Sequence, residues 1–133
     1  MKINPYLFFN GNCEEAFKFY AQCFGGKMET PFPYAGSPAE AQVPPDWRNR
    51  ILHASLVVGD QVLLGSDCPP GRFEQPQGFF VSLAIKDPAD AGRIFQALAE
   101  NGNVRMPIQK TFWATLFGMV VDRFDIPWMI NCG

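Results

Sequence analysis

The sequence contains only one histidine, His53, and none of its four cysteines forms a C-x-x-C pair. Zinc sites of the finger or ribbon type need closely spaced cysteines and histidines, so the sequence excludes that class of metalloprotein. Because no long apolar signal segment opens the chain, we interpret the cysteines as reduced thiols of a cytoplasmic protein. Their expected role is that of small apolar residues, and they are Cys13, Cys23, Cys68 and Cys132.

The chain also lacks an excess of positive charge and any long apolar run. Its 11 basic and 13 acidic residues give a net charge of −2, which argues against a nucleic acid or an anionic membrane as partner. No run approaches the roughly 18 apolar residues of a membrane-spanning helix. The 133 residues, of which 47% are hydrophobic and 13 are Phe, instead predict one folded domain with a substantial core.

A pattern that occurs twice, 75 residues apart, predicts two equivalent helices. The first helix is predicted over 12–24, with Asn12 and Glu15 as a capping box and Gly25 at its end. The second is predicted over 88–101, with Asp87 as N-cap and Gly102 as the stop. Their apolar stripes are Ala16, Phe19, Tyr20, Cys23 and Phe24 in the first, and Ala91, Ile94, Phe95 and Leu98 in the second.

Strand-like segments flank both helices in the same order, so each half reads as β-α-β-β-β. We predict an α+β fold within residues 1–133, with modules at 1–68 and 79–133 joined by a Pro- and Gly-rich linker at 69–78. One helix covers only one face of each sheet, so the other face needs its counterpart in the second half or in another chain. Two such curved mixed sheets facing each other would enclose a ligand cavity. The predicted strands are Tyr6–Phe9, Gly26–Phe32, Ile51–Val58, Gln61–Ser66, Phe79–Ile85, Asn103–Lys110, Thr115–Val121 and Ile126–Asn131.

Alternation along the strands predicts which side chains face the cavity. In the strand 51–58, the all-apolar set Leu52, Ala54, Leu56 and Val58 is expected against the helix. The mixed set Ile51, His53, Ser55 and Val57 is expected on the cavity wall. In the second half, the same argument places Thr115, Phe117, Met119 and Val121 against the helix, and Leu116, Gly118 and Val120 on the other face.

Several short motifs, in their order and spacing, resemble one family over essentially the whole chain. The family is the PhnB-like branch of the vicinal oxygen chelate superfamily, which includes glyoxalase I, extradiol dioxygenases and bleomycin- and fosfomycin-resistance proteins. The resemblance implies paired β-α-β-β-β modules and a homodimer. The motifs are Pro5–Gly11, Glu14-Glu15-Ala16, Phe19-Tyr20, Ile51–Ala54, Gly59-Asp60, Ser66-Asp67, Thr111–Trp113, Asp122–Phe124 and Trp128–Asn131.

The sequence departs from this family at two points that concern turns and metal binding. Asp125 stands where relatives usually carry Gly, and Asp tolerates a positive φ next best. The metal-binding positions implied by the resemblance fall at Pro5 or Tyr6, near Leu64, at Val81 and at Met129, where metal-dependent members use His, Gln or Glu. Except for Tyr6, these residues lack a hard donor atom, so we expect no cofactor, and a divalent metal is disfavoured.

The resemblance also brings a label, ubiquinone-pathway methyltransferase, that the residues do not support. A Rossmann-type methyltransferase needs a parallel sheet and a glycine-rich loop after its first strand, whereas Gly25-Gly26 follows a helix. No Ser, Cys or Lys stands in a recognisable nucleophile motif.

Two functions therefore compete, and a third reading is an assembly module without a ligand. The first is a protein that binds a small apolar or aromatic molecule through His53, Ser55, Ser66, Phe112 and Trp113. The second is an enzyme of the superfamily (lyase, isomerase or dioxygenase type) with an altered site, in which His53 or Asp67 acts as acid or base. A metal held by His53, Ser66 and Asp67 is a weaker alternative. The Pro-rich loop 31–50, with Trp47, is the predicted cross-chain element of the homodimer.

Overall fold

The protein, described here from a computed structural model, comprises residues 1–133, all of which the structure describes. The chain divides into two compact units, Met1–Glu74 and Gln75–Gly133. The boundary lies inside the segment 69–78 that the composition marks as a linker. Neither helix of the chain is long and apolar enough to cross a membrane.

The first unit is one helix packed on one five-stranded sheet. The strand order is β1-β5-β4-β2, with β3 also paired to β4. β1 runs parallel to β5, and the other pairs are antiparallel. The elements are β1 (Tyr6–Phe9), α1 (Cys13–Phe24), β2 (Lys27–Met28), β3 (Phe32–Pro33), β4 (Ile51–Val58) and β5 (Gln61–Asp67), with two short 3-10 turns, Glu40–Gln42 and Pro45–Trp47, between β3 and β4.

The second unit repeats this succession with a four-stranded sheet in the order β6-β9-β8-β7. Again the first strand runs parallel to the last, β6 beside β9. The α+β class and the repeated β-α-β-β-β order are thus confirmed, whereas the single strand predicted over 26–32 is split into β2 and β3. The elements are β6 (Val81–Ala84), α2 (Pro88–Ala99), β7 (Asn103–Gln109), β8 (Leu116–Val121) and β9 (Pro127–Cys132).

The first turns of the two helices are capped in different ways. Asp87 caps α2 as predicted, accepting a 3.2 Å hydrogen bond from the N–H of Ala89. The capping box predicted for α1 is wrong, because the Asn12 side chain makes no capping hydrogen bond. The N–H of Cys13 donates instead to the carboxylate of Asp67, on β5, at 2.9 Å. A distant strand therefore caps α1.

The helix ends also differ. Gly25 ends α1 as predicted, in the left-handed conformation at φ 72°. α2 ends at Ala99, before the predicted stop, and Asn101 takes the left-handed conformation at φ 57°. Gly102 serves a different purpose, since a Cβ there would lie 2.5 Å from the carbonyl oxygen of Val121. Glycine at this position allows close approach of two backbones rather than an unusual φ.

The turn between β8 and β9 contains Asp125, which takes a φ of 71°. This confirms the expectation that Asp occupies a position suited to Gly. The buried carboxylate of Asp122 braces the turn, accepting hydrogen bonds from the N–H groups of Phe124 and Ile126 at 2.8 and 3.0 Å. Its second oxygen accepts a 2.8 Å bond from the indole of Trp128, a fully buried core residue.

Each core lies between a helix and its own sheet. α1 buries Phe17 rather than the predicted Phe19, which is half-buried. Phe17 meets Phe9 of β1 edge to face, with ring centroids 5.9 Å apart. In α2 the predicted stripe is confirmed in full, and its buried residues are Ala91, Ile94, Phe95 and Leu98.

The face assignment predicted for β8 is wrong by one residue. A Cβ on Gly118 would lie 2.7 Å from the ring of Phe95, so Gly118 and Val120 face α2 and Phe117 lies on the other face. Both faces of this strand are apolar, so the alternation of polar and apolar residues does not indicate which face is buried. A shift of one residue in the assignment exchanges the two faces. In β4 the prediction is confirmed for Ala54 and Leu56, which are buried on the α1 side.

Candidate functional site

The face of the first sheet that points away from α1 carries exposed aromatic side chains together with polar ones. We call it the open face. Strand pairing places Tyr6 of β1 beside Leu64 of β5, which in turn lies beside Ser55 of β4. Phe32 of β3 lies directly opposite His53. Aromatic and polar side chains thus share a surface that alternation along β4 predicts.

A contact between Tyr6 and His53 organises the centre of the open face. The Tyr6 hydroxyl lies 3.2 Å from Nδ1 of His53, and the tautomer of the ring decides which of the two donates. The two rings are tilted against each other with centroids 5.8 Å apart. The contact holds the imidazole through Nδ1 and leaves Nε2 for another partner.

A second polar pair lies on the same face at the β2 end of the sheet. The Ser55 hydroxyl donates a 2.8 Å hydrogen bond to Oε1 of Glu29, and the Glu29 N–H donates to the Ser55 carbonyl at 3.0 Å. The backbone bond pairs the two residues, and the side-chain bond holds the carboxylate over β4. Glu29 was not predicted as a site residue, and pairing the segment after α1 with the strand 51–58 is the signal that would have found it.

Apolar rings surround these polar pairs and are open to solvent. Phe8 is 52% exposed and Phe32 is 64% exposed, and Tyr6 stands beside Phe8 with ring centroids 5.2 Å apart. Ser66 lies opposite Phe8 in the β1–β5 register but is itself buried. Exposed aromatic clusters with a few fixed polar groups are typical of ligand-binding surfaces.

Asp67 lies apart from this group, although it stands next to Ser66 in sequence. Its two carboxylate oxygens accept hydrogen bonds from the N–H groups of Cys13 and Ile51, at 2.9 and 2.8 Å. Burial raises the pKa of this carboxyl, while its backbone donors and the charge of Arg50 oppose that shift. Asp67 therefore joins the start of α1 to the start of β4, and its catalytic role stays a prediction that this geometry disfavours.

The loop that contains Trp47 is anchored to its own chain. The Trp47 indole donates a 3.1 Å hydrogen bond to the Cys68 carbonyl, and the Tyr34 hydroxyl donates to the Asp67 carbonyl at 2.7 Å. Arg50 lies over the Trp47 ring, 5.2 Å from its centroid. These contacts give Trp47 a role within its own chain, and the cross-chain role predicted for it stays a prediction.

In the second unit, Phe112 and Trp113 form an exposed aromatic pair. They are 98% and 53% exposed, and their rings meet edge to face at 4.8 Å. Trp113 also meets Phe117 at 5.3 Å. The pair sits on a short turn held by Thr111, whose hydroxyl accepts from the Ala114 N–H at 3.1 Å. Their accessibility is compatible with the predicted ligand contact, which stays a prediction.

The same unit contains a polar group that the sequence did not reveal. Asn131, opposite Phe117 in the β8–β9 register, has a buried side-chain oxygen without a hydrogen-bond partner. Buried carbonyl oxygens are nearly always hydrogen-bonded, so an unpaired one is a costly feature. A lone Asn among apolar residues at the end of a strand gives no signal of this kind in the sequence.

The donor atoms present do not fit the divalent metal of the superfamily. Of the metal-binding positions that the resemblance implies, Tyr6 and Leu64 are neighbours on β1 and β5, but only the tyrosine offers an oxygen. The alternative set fails as well, because Asp67 binds backbone N–H groups and does not converge with His53. No group of three or more His, Cys, Asp and Glu side chains is placed to hold a metal ion.

The cysteines offer no activated nucleophile. All four are free thiols, and Cys13 and Cys132 are fully buried. Burial raises the pKa of Cys13 far above its ordinary value, and the Asp67 and Glu14 charges raise it further. Burial also raises the pKa of Cys68. A thiol with a raised pKa is a poor nucleophile near neutral pH.

Similar proteins agree with the resemblance inferred from the sequence. Residues 1–131 match a family model described as 3-demethylubiquinone-9 3-methyltransferase. The chain is 33% identical to Protein YjdN from Escherichia coli strain K12, over 98% of this chain and 95% of that protein. It is 48% identical to protein PA1353 from Pseudomonas aeruginosa, whose crystal structure superposes with a TM-score of 0.90 over 99% of this chain and 97% of that one.

More distant structures show the fold alone. A putative 3-demethylubiquinone-9 3-methyltransferase, PhnB protein, from Bacillus cereus is 20% identical, with a TM-score of 0.84 and full coverage of both chains. A glyoxalase/bleomycin resistance protein/dioxygenase family enzyme from Burkholderia phytofirmans is 12% identical, with a TM-score of 0.64 over 97% of this chain and 95% of that one. The predicted glyoxalase/bleomycin resistance fold is thereby confirmed.

Proposed function

The chain belongs to the 3-demethylubiquinone-9 3-methyltransferase family, the PhnB-like family, and from that premise we propose that it binds a small planar apolar or aromatic molecule without the superfamily metal. The observation that carries the proposal is the open face, where the exposed rings of Tyr6, Phe8 and Phe32 flank the polar side chains of His53 and Ser55. The rings supply contact area, and the polar groups orient the ligand.

The activity in the family's description has no support in the architecture. A Rossmann-type methyltransferase binds its cofactor at the carboxyl end of a parallel sheet, next to a glycine-rich loop. Both sheets of this chain are mixed, and in each the strand pairs other than the outer parallel one are antiparallel. A binding function therefore accounts for the side chains of the open face better than that label does.

Titration with 2-naphthol, a planar aromatic with one hydroxyl, tests the proposal. Amide chemical shifts should change saturably along β1 and β4, and Phe8→Ala should weaken binding roughly fivefold, as expected for loss of one aromatic contact. Phe19→Ala is the matched control, since α1 covers the opposite side of the sheet. Shift changes confined to the α1 side, or equal losses in both variants, would show that the open face is not the site.

A second candidate is an enzyme in which His53 acts as general acid or base. The contact between the Tyr6 hydroxyl and Nδ1 favours it, because a histidine oriented by a partner can transfer a proton through its other nitrogen. Recovery of the bound probe unchanged after prolonged incubation supports binding alone. Conversion of a bound compound that His53→Gln abolishes, while binding persists, supports the enzyme.

We also propose a homodimer in the cytoplasm. The exposed rings of Phe32, Phe112 and Trp113 support association because they leave apolar surface uncovered in one copy. The four free thiols support a reducing compartment. Light scattering should give about twice the chain mass of 14.9 kDa. A mass of one chain that does not change between micromolar and millimolar concentration would rule out the dimer.

A further inference from the structure

We infer that the ligand of the open face is an organic cation, a planar aromatic molecule that carries a positive charge. This inference rests on the proposed function, and it adds the charge of the ligand to it. Three features carry it: the state of the Glu29 carboxylate, the rings on the same face, and the absence of an ion pair between Glu29 and Lys27.

The carboxylate of Glu29 is held in place but is not neutralised. Its Oε1 accepts the hydroxyl of Ser55 at 2.8 Å, a neutral donor that orients the charge without cancelling it. The ion pairs of the chain lie elsewhere, at Lys18–Glu14, Arg48–Glu40 and Arg93–Asp90. An oriented carboxylate without a cationic partner on a sheet face attracts a positive ligand.

The rings near Glu29 suit the same kind of ligand. Phe32 lies opposite His53, and His53 stands two residues from Ser55 on the same side of β4, a spacing of roughly 7 Å. Tyr6 and Phe8 continue the row of rings on β1. The electron-rich faces of Phe and Tyr attract cations, and they also stack on planar molecules.

The register of β2 places Lys27 opposite Val57, on the same face as Glu29. Lys27 is the basic residue nearest to Glu29 along β2, and it makes no ion pair with the carboxylate. An anionic ligand would meet the uncompensated charge of Glu29 at close range. The open face should therefore discriminate by charge among ligands of equal shape, in the order cation, neutral molecule, anion.

Three probes of nearly equal size separate charge from shape. They are N-methylquinolinium, quinoline at pH 8, where it is neutral, and 2-naphthalenesulfonate. Binding is followed by amide chemical shifts at low ionic strength. N-methylquinolinium should bind roughly fivefold tighter than quinoline, as expected for one cation–π contact and one exposed charge pair, and the sulfonate should bind weakest.

Glu29→Gln should reduce the preference for the cation to the part that the cation–π contact supplies, and it should leave quinoline binding unchanged. Glu100→Gln, which removes one exposed carboxylate from the end of α2, is the matched control and should keep the preference. Equal binding of cation and neutral probe by the unmodified protein would overturn the inference but leave the proposed function intact. A preference that Glu29→Gln leaves at full size would also overturn it, because the carboxylate would then contribute nothing to the recognition of charge. Failure of all three probes to bind would overturn both.

Discussion

The carboxylate of Asp67, the last residue of β5, accepts a 2.9 Å hydrogen bond from the backbone N–H of Cys13, the first residue of α1. Its other oxygen accepts from the N–H of Ile51, the first residue of β4, at 2.8 Å. One buried side chain thus fixes the starting points of a helix and of the strand that carries His53. Asp67 therefore helps to position the open face, although its own side chain does not lie on that face.

Asp67→Asn should destabilise the protein strongly. An amide keeps one accepting oxygen but turns an N–H₂ donor towards a backbone N–H, which leaves a buried donor unsatisfied. We expect the free energy of unfolding to fall by about 2–3 kcal/mol. Urea denaturation of the variant measures this loss. Asp60→Asn, at an exposed turn, is the control and should change stability little. Equal effects of the two substitutions would show that the hydrogen bonds of Asp67 to α1 and β4 do not stabilise the fold.

The pKa of Asp67 should make a specific contribution to the pH dependence of stability. Burial raises this pKa above its ordinary value of 3.8, so the folded chain keeps the proton at a pH where the unfolded chain has lost it. The stabilising contribution is full below 3.8 and is lost as pH rises through the folded pKa. A ¹³C carboxyl titration of folded and urea-unfolded protein measures both values. A folded pKa below the unfolded one would contradict this sign.

Asp125→Gly should stabilise the protein, because Asp125 has a φ of 71°. Glycine adopts this region without a Cβ clash, and we expect a gain of about 0.5–1 kcal/mol in thermal or urea unfolding. Asp60→Gly is the opposite control, since Asp60 has no positive φ and glycine there adds only backbone entropy to the unfolded chain. A loss of stability in Asp125→Gly would show that the aspartate contributes more than its strain costs.

Two glycine-to-alanine substitutions should act in opposite directions. A Cβ on Gly65 would lie 2.8 Å from the ring of Phe17 and 2.9 Å from the carbonyl oxygen of Leu7, so Gly65→Ala should cost about 2 kcal/mol by overpacking. Gly92, within α2, has open space around its Cβ position, so Gly92→Ala should gain up to about 1 kcal/mol of helix stability. Thermal denaturation of both variants checks the contrast, and a stable Gly65→Ala variant would disprove the close packing of α1 on β5.

Asn131→Leu should raise the free energy of unfolding by about 1 kcal/mol. The substitution replaces a buried, unpaired oxygen by apolar atoms of similar volume, and so removes a desolvation cost. Asn4→Leu, at an exposed position, is the control with no expected gain. A loss of stability in Asn131→Leu would indicate that the amide has a partner in solution.

Local chemistry was sufficient to predict several elements from the sequence. The spacing of Ala91, Ile94, Phe95 and Leu98 fixed the buried face of α2, and Asp87 before Pro88 fixed its start. The turn Gly59-Asp60 between two apolar runs placed β4 beside β5. These predictions succeeded because the relevant forces act between residues that are neighbours along the chain.

The alternation of residues along a strand predicted its faces only where one face is polar and the other apolar. In β4, polar His53 and Ser55 alternate with apolar Ala54 and Leu56, and the structure buries the apolar pair while His53 and Ser55 remain partly exposed. In β8, both faces are apolar, and the predicted face was wrong. The phase there is decided by the fit of Gly118 under the Phe95 ring, which is a contact between distant elements.

The sequence by itself therefore determined the repeated β-α-β-β-β order and the candidacy of His53 and Ser55, because both follow from local periodicity. Only the tertiary structure separated Asp67 from Ser66, its neighbour in sequence, and brought Glu29 to Ser55 and Tyr6 to His53. Adjacent residues of a strand point to opposite faces, and partners across strands are set by register over tens of residues. No short window of sequence contains that register.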